Sequence, residues 1–180
     1  GAYAETAVLY RSNAQSRAIE EALLRVSIPY RIYGGLRFYE RLEIKNAIAY
    51  LKIIFNNSDN PSFERSISNP TRGVGEKTLG KIRQTAQKYN ISYIKASAKL
   101  IDEGSISGRG GSGLRDYLEF VAGCKSFIED NSLSDLMELI IKESGLYSYH
   151  AKEAGEKGKT RTENLEELIT ATKNFEQSVK

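Results

Sequence analysis

The chain opens with an apolar run that gives way to a helical pattern within a few residues. Ala7, Val8 and Leu9 form a short run with β-branched content, which predicts a buried strand. The stretch from Ser12 to Gln15 has the spacing of a capping box, because a hydroxyl and an amide three residues apart can satisfy free N–H groups at a helix start. The following helix is amphipathic, so its apolar side is predicted to face the core. Its inward set is Ile19, Ala22, Leu23 and Val26, and its outward set is Arg17, Glu20, Glu21 and Arg25.

A second short strand is predicted over residues 28–33, where polar and apolar positions alternate up to the turn at Gly34 and Gly35. A strand, a helix and a strand in this order imply parallel pairing. Two short strands cannot form a stable parallel sheet alone, so we expect them to edge a sheet that is completed elsewhere. This is a first indication that the chain is a piece of something longer.

The remainder of the chain has helical periodicity, which makes the predicted fold class mainly α with a small parallel β element. Apolar stripes predict helices at residues 43–55, 62–68, 93–101, 114–129, 133–143 and 162–175, with Asn60 as the cap of the helix over 62–68 and Ser132 as the cap of the helix over 133–143. A further helix is predicted with Leu79, Ile82, Ala86 and Tyr89 on its inward side. Residues 104–113 contain five glycines and three serines, which predicts a flexible joint. We therefore expect two units, residues 1–104 and residues 105–180. Residues 155–160 echo a P-loop but lack its first glycine, and we interpret them as an exposed loop.

Composition excludes several classes of site. Among 180 residues there is one cysteine, Cys124, and one histidine, His150, so neither a disulfide framework nor a multi-histidine metal site is available. No apolar run approaches 18 residues and no signal-peptide pattern is present, which predicts a cytoplasmic protein with no membrane partner. The net charge of +3 is too small to indicate nucleic-acid binding. Residues 65–99, however, contain eight basic residues against one acidic residue, and phosphate backbones attract such segments.

Tyr10 and Arg11 are the first candidate ligand-binding residues. They follow the first predicted strand, and α/β units place ligand groups at the carboxyl ends of their strands. An aromatic ring beside a guanidinium can stack on a base and hold a phosphate. The alternative is an ordinary surface pair, and spacing alone leaves both interpretations open.

The segment after the second strand mixes basic and aromatic residues, including Arg37, Phe38, Tyr39 and Arg41. This combination suits single-stranded nucleic acid, because cations follow phosphates and rings stack on bases. The alternative is a helix entry with buried aromatic rings, and both interpretations stay open.

Residues 69–82 resemble a helix-hairpin-helix DNA-binding element, with a Gly-Val-Gly turn between a short helix and a second helix. Glycines let the backbone approach a phosphate, and the next helix offers free N–H groups and the positive end of its dipole. The alternative is a glycine-rich turn between two helices. The candidate contacts are Arg72, Gly73, Val74, Gly75, Lys77, Thr78 and Lys81.

Taken together, these stretches resemble the UvrD/PcrA/Rep group of superfamily 1 DNA helicases. The resemblance rests on AVLYRSNAQSRAIEEAL, IPYRIYGGLRFYERLEIKNAIAYLK, NPTRGVGEKTL and TRTENLEELITAT, in this order, and it covers essentially the whole chain. It implies that residues 1–104 are the first part of the second RecA-like motor domain, a partial α/β unit. Residues 105–180 would begin the helical domain inserted into it.

The resemblance also implies roles for the candidate residues. Arg11 would reach the γ-phosphate of ATP and Tyr10 would stack on adenine. The segment that contains Tyr33, Gly34, Gly35, Arg37 and Phe38 would lie along single-stranded DNA, and the Gly-Val-Gly hairpin would contact the backbone near the junction with the duplex. The P-loop and the Mg²⁺-binding motif are absent, so the metal and the other half of the ATP site would come from the remaining domains of the same protein.

Two functions follow from this resemblance and from the hairpin. The first is a fragment of an ATP-dependent 3′–5′ DNA helicase that acts in repair and is inactive when isolated. The alternative is a self-standing helix-hairpin-helix module that binds DNA without enzymatic activity. The second needs neither the strand-helix-strand unit nor the Tyr10–Arg11 pair.

Overall fold

The computed structural model describes residues 3–33 and 35–179, which fold almost entirely into helices. The helices are α1 (Ser16–Arg25), α2 (Leu42–Phe55), α3 (Asn60–Ser68), α4 (Glu76–Tyr89), α5 (Tyr93–Asp102), α6 (Gly108–Asp130), α7 (Leu133–Glu143), α8 (Leu146–Ala151) and α9 (Glu156–Val179). Short 3₁₀ turns occupy Tyr3–Glu5, Asn13–Gln15 and Phe38–Glu40. The mainly α class is confirmed.

Helix α2 is the centre of the fold, and it packs against α3, α6, α7 and α9. Its apolar residues are buried on several sides, and the Tyr50 ring meets the Tyr117 ring of α6 at a centroid distance of 6.2 Å. The Tyr117 ring in turn packs edge-on against Phe63 of α3 at 5.4 Å. One buried cluster extends from Phe38 to Leu168 and so includes residues on both sides of residue 104. The division at that residue stays a prediction.

Three of the described helices follow their sequence patterns closely. Helices α2, α5 and α7 begin and end within one residue of the ranges that apolar periodicity predicts. Helix α3 begins at Asn60, two residues earlier than predicted, and its cap is Asp59 rather than Asn60. The Asp59 carboxylate accepts from the N–H of Ser62 at 3.0 Å. Helix α7 has the predicted cap, because the Ser132 hydroxyl accepts from the N–H of Asp135 at 3.1 Å. A capping side chain before an apolar stripe therefore predicts the start of α7, whereas for α3 the polar loop offers two neighbouring caps and the earlier one is used.

The predicted strands are not formed in the described residues, so the small parallel β element is not confirmed. Residues 6–11 and 28–33 contain no strand. Leu9 is 95% exposed and Val8 is 54% exposed, so the first run is not buried either. The reason is pairing: two short strands cannot satisfy their backbone groups without neighbouring strands, and the described part of the chain supplies none.

Helix α1 buries its polar side rather than the apolar side that periodicity predicts. Ser16, Arg17 and Glu20 are the buried residues of this helix, whereas Val26 is 60% exposed. The apolar side instead lines an open groove of about 980 Å³ between α1 and the two unpaired segments. Periodicity shows which side of a helix is apolar, but it does not show what covers that side.

Two glycine-rich stretches are helical where a joint and a loop are predicted. Helix α6 begins at Gly108, inside the predicted joint, and α9 begins at Glu156, inside the predicted loop. Gly158 is buried in the first turns of α9, where an added β-carbon would lie 2.4 Å from the carbonyl oxygen of Glu153. Gly158 therefore permits close packing of backbones, as do Gly110, Gly111 and Gly113 at the start of α6.

Candidate functional site

Tyr10 and Arg11 lie at a turn whose backbone is held by a side chain of the same turn, Gln15. The amide oxygen of Gln15 accepts from the N–H of Arg11 at 2.9 Å and from the N–H of Ser12 at 3.2 Å. The Arg11 side chain is exposed, and within residues 3–33 and 35–179 it has no hydrogen-bond or ion-pair partner. Tyr10 is half-buried beside it. The turn therefore presents an unneutralised guanidinium next to an aromatic ring.

The same turn is held from outside by Arg41, which is 8% exposed. The guanidinium donates to the carbonyl oxygen of Asn13 at 2.8 Å and to the Asn164 side-chain oxygen of α9 at 2.9 Å. It also donates to the hydroxyl of Ser16 at 2.7 Å and to the carbonyl oxygen of Leu36 at 3.3 Å. Four separate segments are thus joined by one side chain. Burial lowers the pKa of Arg41, and the carboxylates of the neighbouring α1 and α2 residues oppose that shift.

Helix α1 is tied to the same region through its charged residues. Arg17 donates from Nε to Glu167 of α9 at 2.6 Å and from Nη1 to Glu21 at 2.7 Å. The Glu20 carboxylate accepts from the N–H of Phe38 at 3.2 Å and from the Ser16 hydroxyl at 2.8 Å. The polar side of α1 is buried because these bonds replace the water that its charges would otherwise require.

An open cavity of about 400 Å³ lies between the Tyr10 turn, the segment around Gly35 and the first turns of α9. Its polar lining residues include Asn13, Arg41, Lys157, Thr160 and Asn164, and Ile32, Leu36 and Leu42 contribute apolar surface. Tyr10 therefore faces an open space large enough for a planar ring of a ligand to enter.

A second network of hydrogen bonds and ion pairs connects α2 with α8 and α9. The Asn164 amide donates to Glu43 at 2.7 Å, and Arg161 lies 3.7 Å from the other oxygen of Glu43. Arg161 also donates to Glu153 at 2.7 Å, and the His150 ring contacts Glu153 at 3.1 Å. Burial raises the pKa of Glu153, but the His150 hydrogen bond and the Arg161 charge outweigh burial and hold the pKa below its ordinary value.

The segment predicted to follow single-stranded DNA divides into exposed and buried residues. Tyr33 is 87% exposed, Gly35 and Arg37 are exposed, and Gly34 lies outside the described residues. The Arg37 guanidinium lies 5.0 Å from the centre of the Tyr30 ring. Phe38 is 0% exposed and belongs to the core. Its ring has no free face for a base, which corrects its assignment as a DNA contact: it is a buried ring at a helix entry, as in the alternative interpretation.

The hairpin forms as a turn between α3 and α4, and Arg72 is its internal clamp. The guanidinium donates to the carbonyl oxygens of Ser66, Pro70 and Ser144 and lies over the rings of Tyr50 and Tyr117. Because its donors are directed into the protein, Arg72 is not available to a phosphate in this conformation. This corrects its assignment as a DNA contact, since a charge in a sequence does not indicate whether the side chain points outward.

The remaining hairpin residues lie at or near the surface. Gly73 has φ +74°, so it needs a glycine, whereas Gly75 has φ −95° and does not. Val74 packs against the buried cluster. Gly75 precedes α4, and no side chain caps this helix in the described residues. Lys77 is exposed and Thr78 is half-buried in the first turn of α4, and Lys81 donates to the carbonyl oxygen of Ser105 at 2.9 Å.

The basic segment is partly neutralised by the fold. Arg83 donates to Glu64 at 2.6 Å and also binds Glu76, and Lys99 pairs with Glu103 at 2.6 Å. These ion pairs neutralise Arg83 and Lys99. Near the hairpin turn, Lys77 and Arg109 of another helix have neither a hydrogen-bond nor an ion-pair partner for their side chains within residues 3–33 and 35–179.

Sequence reasoning did not predict the roles of three residues that the structure brings to these sites, and it considered Arg41 only as part of a nucleic-acid-binding segment. Arg41 lies among the basic and aromatic residues that precede α2, Asn164 lies on α9, and Arg109 lies inside the predicted joint. The sequence contained an indication only for Arg41, because a cation directly before a strongly apolar helix can be expected to lie close to the core. The other two act through contacts with residues far away in the sequence, which periodicity does not reveal.

The described residues offer no resident metal site and no reactive thiol. No group of three His, Cys, Asp or Glu side chains within residues 3–33 and 35–179 is placed to hold a metal ion. Burial raises the pKa of the Cys124 thiol to about 11, which keeps it protonated at neutral pH. None of the helices described has both the length and the apolar composition needed to cross a membrane.

Comparison with known proteins places the chain in a family. The family model described as the UvrD-like helicase C-terminal domain matches residues 1–106. The chain belongs to the UvrD-like helicase C-terminal domain family. It is 49% identical over 175 residues to DNA helicase II of Escherichia coli (strain K12), a match that covers 97% of this chain and 24% of that protein. It is 38% identical over 175 residues to ATP-dependent DNA helicase PcrA of Leuconostoc citreum, which covers 97% of this chain and 23% of that protein.

The similarity continues beyond the family match. A further relative, ATP-dependent DNA helicase PcrA of Bacillus subtilis (strain 168), is 35% identical over 173 residues, which cover 96% of this chain and 23% of that protein. The chain thus spans about a quarter of the length of these relatives. The resemblance to the UvrD/PcrA/Rep group is confirmed. Within this UvrD-like segment, Tyr10, Arg11 and the hairpin lie inside the family match, whereas Arg109 and Asn164 lie outside it.

Proposed function

We propose that this chain is part of an ATP-dependent 3′–5′ DNA helicase of DNA repair, to which it supplies half of the ATP site and a set of DNA-backbone contacts. The observation that carries the proposal is the Tyr10–Arg11 turn in a UvrD-like chain. Its guanidinium is exposed and unneutralised, and its backbone is fixed by Gln15 and Arg41. A binding module for DNA alone has no need of such a turn.

The two residues of the turn suit different parts of a nucleotide. The Arg11 guanidinium is placed to stabilise negative charge on the terminal phosphate of ATP, where charge develops during phosphoryl transfer. The Tyr10 ring, at the mouth of the 400 Å³ cavity, is placed to stack on the base. The Mg²⁺ ligands and the phosphate-binding loop are assigned to other domains of the same protein, which the described residues do not contain.

The apolar groove beside α1 supports a partial RecA-like α/β unit. Its lining includes Val8, Leu9, Ile19, Leu23 and Ile28, which no other described segment covers. We propose that residues 7–9 and 28–33 become parallel strands when strands from outside this chain complete the sheet. The unpaired conformation described above is then the expected state of two edge segments without neighbours.

The DNA contacts are assigned to two exposed surfaces. Tyr33, Gly34, Gly35 and Arg37 would follow single-stranded DNA. The hairpin, as a helix-hairpin-helix-like element, would hold the backbone of the duplex near the junction through Gly73, Gly75, Lys77, Thr78 and Lys81. Contacts of this kind hold DNA in position without reading its sequence. We place this activity in the cytoplasm.

The nucleotide assignment is tested in the full-length protein by steady-state ATPase kinetics with single-stranded DNA. Arg11→Ala is expected to lower kcat by about 10³-fold, because an arginine on the transferring phosphoryl group acts in the transition state. Tyr10→Ala is expected mainly to raise KM, because stacking contributes to ground and transition states alike. Arg25→Ala is the matched control, since Arg25 is also an exposed arginine and lies at the end of α1. An Arg11→Ala variant with unchanged kcat would contradict the assignment.

The hairpin assignment is tested with the chain itself by fluorescence anisotropy on a duplex with a 3′ single-stranded tail. A β-carbon at Gly75 meets nothing within 4 Å, so Gly75→Ala leaves the protein's own packing intact and obstructs only a ligand. Gly80→Ala is the matched control, because Gly80 also has open space but lies one turn further along α4. We expect Gly75→Ala to weaken binding and Gly80→Ala to leave it unchanged. Equal affinities of the two variants for DNA would contradict the assignment and leave the hairpin as a turn between two helices without a role in DNA binding.

A further inference from the structure

The glycine-rich start of α6 lies directly against the hairpin turn. A β-carbon built on Gly110 would lie 3.2 Å from the carbonyl oxygen of Gly73 and 3.5 Å from the hydroxyl oxygen of Thr78. One built on Gly113 would lie 1.9 Å from the carbonyl oxygen of Arg72. Glycine alone among the residues permits two backbones to approach this closely. The first turns of α6 and the hairpin therefore form one continuous surface.

The Arg109 side chain of α6 lies across this surface. A β-carbon built on Gly73 would lie 2.8 Å from Cγ of Arg109, 3.2 Å from Cδ and 3.3 Å from Nε. The aliphatic stem thus runs beside the α-carbon of Gly73, and the guanidinium begins at the turn itself. The positive φ of Gly73 and the missing side chain at that position make room for the stem.

The charge of Arg109 is not neutralised within the protein. The residue is exposed, and no hydrogen-bond or ion-pair partner exists for its side chain in residues 3–33 and 35–179. Arg72 and Arg83, by contrast, direct their guanidinium groups to carbonyl oxygens and to carboxylates. Arg109 and Lys77 are therefore the free cations on the two sides of the turn, next to the uncapped start of α4.

We propose that Arg109 binds a phosphate of the DNA backbone and completes the hairpin surface from a second helix. The inference rests on the proposed function of the hairpin and extends it to a residue outside the family match. A guanidinium offers a planar fork of donors that matches two phosphate oxygens at once. A role in packing alone would use the stem against Gly73, and it would not require an exposed, unpaired charge at its end.

The test is the salt dependence of DNA binding by the whole chain. Arg109→Gln keeps the stem that packs on Gly73 and removes the charge, so folding and DNA binding are separated. The probe is a labelled duplex with a 3′ single-stranded tail, titrated by anisotropy at several salt concentrations. We expect the slope of log K against log salt to flatten by about 0.9, which is roughly an eight-fold loss of affinity at 0.1 M salt. Arg109→Lys, which keeps the charge, is expected to retain most of the slope.

Two further variants make the result decisive. Arg115→Gln is the matched control, because Arg115 is also exposed and unpaired in the described part of α6 but lies on a different side of the helix. Lys77→Gln reports on the hairpin independently. If Lys77→Gln weakens binding while Arg109→Gln behaves like Arg115→Gln, the role of Arg109 is refuted and the hairpin assignment stands. If none of the three changes the affinity or the slope, the hairpin assignment itself is refuted together with that of Arg109.

Discussion

Replacing Arg41 by alanine gives the most direct test of how the Arg11 turn is held. The substitution removes four hydrogen bonds at once, to Asn13, Ser16, Leu36 and Asn164. It leaves four oxygen atoms without this donor, and the bonds to Ser16 and Asn164 are the buried ones. A hydrogen bond to a charged group contributes about 1.5–3 kcal/mol, so the two buried bonds together account for the loss of about 3–5 kcal/mol that we expect.

That loss is large enough to measure by denaturation of the chain. For a protein of this size, 1 kcal/mol corresponds to roughly 2–4 °C in Tm, so Arg41→Ala is expected to lower Tm by about 6–20 °C. Urea unfolding followed by circular dichroism gives the free energy directly, with an unchanged dependence on denaturant if the change is local. Arg37→Ala is the matched control. Arg37 is exposed, and among the described residues its side chain contacts the Tyr30 ring alone, so its loss is expected to cost less than about 1 kcal/mol.

A double-mutant cycle tests whether the bond to α9 carries a share of this energy. Arg41→Ala and Asn164→Ala, combined, are expected to cost less than the sum of the two single changes, with a coupling of about 0.5–3 kcal/mol. The reasoning is refuted if Arg41→Ala costs no more than Arg37→Ala. It is refuted in part if the two substitutions at Arg41 and Asn164 are additive.

Two further predictions concern stability. Gly158→Ala is expected to destabilise the chain by about 1–3 kcal/mol, because its β-carbon would lie 2.4 Å and 2.7 Å from two carbonyl oxygens. Gly123→Ala, in open space on α6, is expected to stabilise the chain by up to about 1 kcal/mol. Thermal melts in which the two variants shift Tm in the same direction would contradict this pair of predictions. The Arg83 hydrogen bond holds the pKa of Glu64 below its ordinary value of 4.5, so this pair stabilises the fold above that pH and the benefit is lost as the pH falls. In urea titrations, Glu64→Gln should therefore lower stability at pH 7 and have a diminishing effect below pH 4.5, and an effect independent of pH would argue against the pair.

Helix positions were largely predictable from the sequence because their causes are local. Apolar spacing and capping residues predict α2, α5 and α7 to within one residue, and Ser132 caps α7 as predicted. These signals depend on neighbours within four residues of each other in the chain. The first residues of α6 and α9 were missed for the opposite reason. The α6 glycines Gly110 and Gly113 pack on the hairpin backbone, and Gly158 of α9 packs on carbonyl oxygens of residues 150 and 153, whereas the sequence shows only their low helix propensity.

Side-chain roles were less predictable than helix positions. Arg72 and Phe38 have the residue types expected of a DNA surface, and the structure buries the ring of one and directs the guanidinium of the other inward. Arg109 has the same type as Arg72 but the opposite environment, since its charge is exposed and unpaired in the residues described. Residue type is therefore insufficient, because the direction of a side chain is decided by packing between elements far apart in sequence.

Helix α1 is bonded to the fold on its polar side and open on its apolar side, so strands added to the groove would affect the two sides differently. The polar side of α1 and the Arg11 turn are bonded to α9 through Arg17 and Arg41. The apolar side lines only the open groove, which contains the two unpaired segments. Strands that completed a sheet in that groove would cover apolar surface without breaking any of the bonds to α9. The position of Arg11 would then be set jointly by the sheet and by α9, because its turn is joined to both.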